Sequence, residues 1–201
     1  MDRTYSMDGL NAVRTIRDEG PEWVKQNEDV AIKALHLPCT ELASAVVSSL
    51  NHMKSLKDIP LSASSEPIPA VHGQNPLMAF SIYETGHEAS SPRFYFALNR
   101  KGKEFVWTFG ITFDVPDTVS SKTRKTRWND TISYILPHLG ATLKTEKGET
   151  ARDTWVNAPT LTFFRNETSA HWATDCFDAV LAVKFLGIAS LFLIFRDWRI
   201  D

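Results

Sequence analysis

Three closely spaced segments, 77–84, 93–98 and 104–113, are dense in aromatic and β-branched residues, and they constrain the fold more than any other part of the chain. Such residues suit a pleated, half-buried surface, so each segment is read as a β-strand. Asn99-Arg100-Lys101-Gly102-Lys103 separates the last two, and Gly102 is free to adopt positive φ, so a hairpin turn is expected there. In Phe105-Val106-Trp107-Thr108-Phe109 bulk falls on both alternating faces, which predicts a central strand.

Helical patterns flank this block. Leu10, Val13 and Ile16 share one helical stripe behind a cap at Ser6 or Asp8, and Gly20-Pro21 ends it. A second helix is expected over 22–36, stopped by Pro38, and a third after Thr40 with Leu42, Val46, Val47, Leu50 and Met53 inward. Residues 58–76 hold Pro60, Pro67, Pro69 and Pro76 among serines and read as a long loop. Further on, a helix is expected over 122–136. Residues 161–164 suit either a strand or a helix end, and a long apolar helix runs over 174–195 with a possible break at Gly187. The expected architecture is therefore α+β. An N-terminal helical layer packs on a small antiparallel sheet, with further helices in the C-terminal half. The whole chain, 1–201, is read as a single domain with a helical part (6–57), a loop (58–76) and a sheet-containing part (77–201).

The 179–195 run is apolar except for Lys184 and Ser190. It falls short of the roughly 20 residues that span a bilayer and carries a charge near its middle, so a buried core element is favoured over a membrane segment. The same run offers a surface for a homodimer or a protein partner. Cys39 and Cys176 lie far apart without metal-ligand spacing, which suggests two buried free thiols in a reducing compartment. The polar N-terminus lacks a signal-peptide pattern, so a cytoplasmic location is expected.

With a formal net charge of −2, a nucleic-acid partner would have to use a local patch. One is present. Arg100, Lys101 and Lys103 sit on the expected hairpin turn, and Lys122, Arg124, Lys125 and Arg127 follow about twenty residues later. Tyr83, Tyr95 and Trp107 lie on the neighbouring strands and are candidates to stack on bases. The plainer reading is a solvated loop and helix start, although cations at a helix N-terminus oppose the helix dipole.

Two resemblances bear on function. Pro76-Leu77-Met78-Ala79-Phe80, Gly86-His87-Glu88-Ala89-Ser90 and Glu104-Phe105-Val106-Trp107-Thr108-Phe109-Gly110-Ile111 together resemble the N-terminal DNA-recognition domain of McrB-type restriction proteins. That resemblance implies a mixed α/β domain that reads a flipped, modified cytosine, with an aromatic-lined pocket and a basic cradle. The family often has an aromatic residue where this chain has Leu77. Separately, Arg165-Asn166-Glu167-Thr168-Ser169-Ala170-His171, followed by an apolar helix, resembles the motif of HEPN ribonucleases. It implies an all-helical, dimeric, metal-independent ribonuclease with Arg165 and His171 as the catalytic pair. A surface loop before the last helix is the plainer alternative. A third possibility is a protein-interaction domain with no chemistry.

The six histidines form no HExxH motif, and no phosphate-binding or nucleophile-elbow glycine motif occurs, so no metal and no cofactor is expected. Asp114 and Asp117 flank Pro116, where a turn role is expected.

Overall fold

The computed structural model describes residues 18–19, 26–65, 76, 78–88, 91–101, 104–129, 133, 160–168 and 176–198, with backbone alone for 28–38, 100–101 and 104–105. Its elements, in order, are α1 (Glu28–Asn51), β1 (Leu61–Ser64), β2 (Met78–Glu84), β3 (Arg93–Lys101), β4 (Glu104–Asp114), α2 (Ser121–Arg127), β5 (Thr160–Glu167), α3 (Phe177–Gly187) and α4 (Ala189–Trp198). The expected α+β class holds. One antiparallel sheet in the order β1-β2-β3-β4-β5 is preceded by a helix and followed by two more.

The three expected strands are β2, β3 and β4, and β4 is indeed internal, flanked by β3 and β5. The β3–β4 turn is tighter than the sequence suggests. Pairing continues to Lys101 opposite Glu104, which leaves only two residues between the strands. Thr160–Glu167 resolves the ambiguous 161–164 segment as a strand, and the strand carries through Arg165, Asn166 and Glu167.

Other expectations are corrected. The two helices proposed on either side of Pro38 are one continuous helix of 24 residues. An internal proline removes one backbone hydrogen bond and costs on the order of 3 kcal/mol. Burial of Cys39, Leu42, Ala43, Val46 and Leu50 along the inner face of α1 offsets that cost. The 58–76 loop contains a strand: Leu61–Ser64 pairs with β2, Leu61 opposite Glu84. Its sequence, Leu-Ser-Ala-Ser, has little intrinsic β preference, so tertiary pairing decides its state. The 174–195 helix is two helices, α3 and α4, bent by 55° at the break. Apart from residues 18–19, which are helical, the first expected helix (from Ser6 or Asp8 to Gly20-Pro21) lies outside the described residues, as do most of the 122–136 helix beyond Trp128 and His171.

Alternation along the strands sorts the sheet into two faces. Phe80, Ile82, Phe94, Phe96, Leu98, Trp107, Phe109, Ile111, Phe113, Leu161 and Phe163 share the face that meets the helices. The helix layer on this face is set by α1 packing on β1, β2 and α3, and by α3 and α4 packing on β4. The join is largely aromatic. Phe94 stacks on Phe192 at 4.6 Å, Phe113 stacks on Phe195 at 5.1 Å, and Trp107 meets the edge of Phe177 at 5.2 Å. The opposite face carries smaller and more polar side chains: Ala79, Ser81, Ala97, Thr108, Gly110, Thr112 and Thr162, with Tyr83, Tyr95 and Phe164 among them.

Among the described residues no single helix is long and apolar enough to cross a membrane. The apolar character of α3 and α4 has a structural cause: Phe177, Leu181, Phe185, Leu191, Phe192 and Phe195 are buried against the sheet. Lys184, the charge that interrupts the run, reaches Glu167 of β5 at 3.1 Å and lies 5.6 Å from the Phe109 ring centroid.

Candidate nucleic-acid interface

β4 sets the geometry of the basic segments. Its 11 residues extend roughly 33 Å from end to end. Arg100 and Lys101 close β3 at the Glu104 end of β4. α2 belongs to the other end. Val115 and Val119 enter the core just beyond Asp114, and the Arg127 guanidinium lies 5.1 Å from the ring centroid of Trp198, which packs edge-on against Phe113 at 6.1 Å. The backbone at Arg100–Lys101 and the α2 cations therefore lie at opposite ends of the sheet rather than side by side. Lys103 and the side chains of Arg100 and Lys101 lie outside what is described.

Within the α2 group the cations differ in what they can do. Ser120 caps the helix: its hydroxyl accepts from the Thr123 N–H at 3.2 Å. Arg124 turns inward, is 8% exposed, and donates from Nε to the Val119 carbonyl at 3.3 Å. Burial pushes its guanidinium below its ordinary value, opposed by attraction to Asp117. It holds the 115–120 turn to the helix and is a structural cation. Arg127 is half-buried over Trp198. Lys122 and Lys125 are exposed and face solvent.

The aromatic candidates are enclosed. Trp107 is 0% exposed on the helix-facing side, between Phe96, Phe109 and Phe177. Tyr95 is 1% exposed on the opposite face, directly across from Gly110. Neither ring presents a face to a base, which corrects the stacking role expected of them. Tyr83 is buried near the β2–β3 turn, at the α2 end of the sheet, and its hydroxyl is hydrogen-bonded to Glu88. Burial, then that bond to a carboxylate, pushes the phenol above its ordinary value. The turn itself uses Gly86 at φ 81°, a conformation that favours glycine. Arg93 braces it by donating from Nε and Nη2 to the Glu88 carbonyl at 3.2 and 2.8 Å.

Arg165 occupies β5 instead of a loop, is about one-third exposed, and pairs with Glu167 at 3.0 Å, which in turn holds Lys184. A five-stranded sheet and an arginine already engaged in an ion pair depart from the all-helical architecture that the HEPN resemblance implies. A third ion pair has no signal in the sequence. Arg196 of α4 grips Glu84 of β2 with two parallel bonds, Nε to Oε2 at 2.9 Å and Nη2 to Oε1 at 3.0 Å. A separation of 112 positions left no local signal for it. Cys39 is buried, but Cys176 is exposed, contrary to the expectation of two enclosed thiols. Asp114 accepts from the Thr160 hydroxyl at 2.8 Å, and the Val119 N–H bonds to Pro116 O, in keeping with a turn. Among the described residues, no three His, Cys, Asp or Glu side chains gather as a metal-binding group.

Compared with known proteins, the chain matches no family model, no curated protein and no solved structure.

Proposed function

We propose that this chain is a nucleic-acid-binding module, directed at DNA and of the kind that serves a defence or restriction system. The observation that carries the proposal is the pair of solvent-facing lysines on α2, Lys122 and Lys125, in a chain whose β3–β4 hairpin brings a second basic group. Among the described residues the ion pairs join Arg165, Lys184 and Arg196 to carboxylates and leave both lysines facing solvent. The direction toward DNA rests on the resemblance of the stretch that forms β2, β3 and β4 to McrB-type recognition domains.

The test is binding of a fluorescent duplex as a function of salt. Lys122→Glu with Lys125→Glu should weaken binding and flatten the dependence of log K on log salt by about 2 in slope, close to 0.9 per lost phosphate contact. Unchanged affinity and slope would remove the proposal. Arg124 is a poor probe, because reversing an enclosed cation disturbs the fold. A second reading, a non-catalytic protein-interaction domain, draws on Val183 and Leu186 of α3, apolar side chains that are 62% and 36% exposed. It predicts no nucleic-acid binding and loss of a protein partner on Val183→Asp.

A further inference from the structure

We draw no further inference here: the strongest candidate, the exposed apolar stripe that Val183 and Leu186 form on the outer face of α3, is an unpartnered helix face, and nothing in the structure shows what covers it.

Discussion

Gly110 is the position where the smallest covalent change should have the largest effect on the fold. It lies in β4 directly between Tyr95 of β3 and Phe164 of β5. A Cβ at this residue would collide with the Phe163 carbonyl oxygen and would stand 2.9 Å from Phe164 Cα and 2.8 Å from Tyr95 Oη. Two of these obstacles are backbone atoms of the adjacent strand, so no rotamer change relieves them. The β4–β5 ladder has to shift. Overpacking costs 1–3 kcal/mol where side chains can adjust, and a backbone obstacle places Gly110→Ala near about 3 kcal/mol. In urea, with a slope of about 2 kcal/mol per molar, that cost lowers the unfolding midpoint by about 1.5 M. Gly187 is the internal comparison, since a Cβ there meets nothing within 4 Å. Gly187→Ala, at the end of α3, should be neutral or stabilising by up to about 1 kcal/mol. Adding Tyr95→Phe to Gly110→Ala removes the hydroxyl but leaves both backbone obstacles, so it should restore little. A midpoint for Gly110→Ala within about 0.2 M of wild type, or full recovery in the double variant, would refute the reasoning.

The thiols provide a second test. Burial pushes the Cys39 thiol up to about 12, and its Sγ–H donates to Ala79 O at 3.2 Å, so native protein should react with a thiol reagent only at Cys176. Cys176→Ala should abolish native labelling, and fast labelling of Cys39 without unfolding would contradict its burial. Because the folded thiol holds its proton more tightly than the ordinary value of 9.0, its contribution to stability is complete below pH 9 and is lost as pH rises toward about 12. Cys39→Ala should therefore show a shallower alkaline loss of stability than wild type in melts across that range. Arg196→Ala leaves the Glu84 carboxylate, with a side chain 7% exposed, without its guanidinium and should cost about 2 kcal/mol by chemical unfolding. Arg196→Lys should recover only part of it, because an ammonium cannot make both parallel bonds; equal stability of Lys and Arg there would argue against the forked geometry.

Local pattern made most of the sheet legible. The strands β2, β3 and β4 are written in residues whose side chains need a pleated, enclosed surface, and the bulk on both faces of Phe105-Val106-Trp107-Thr108-Phe109 correctly marks an internal strand. What escaped reading is what depends on distant partners. Leu61–Ser64 becomes a strand only because β2 offers an edge, and Pro38 is carried inside α1 because the residues after it are buried on the sheet. The site shows the same division more sharply. Sequence gives the number and sign of the cations, but their availability is decided by tertiary geometry. Arg124 and Lys125 are adjacent and equally charged, yet a helical step of about 100° turns one inward to a carbonyl and leaves the other in solvent. The aromatic residues follow the same logic. Tyr95 and Trp107 lie on opposite faces of the sheet, so one-sided burial would have left one of them available. Both faces are closed over them, and that enclosure removes the base-stacking role that their positions in the sequence suggested.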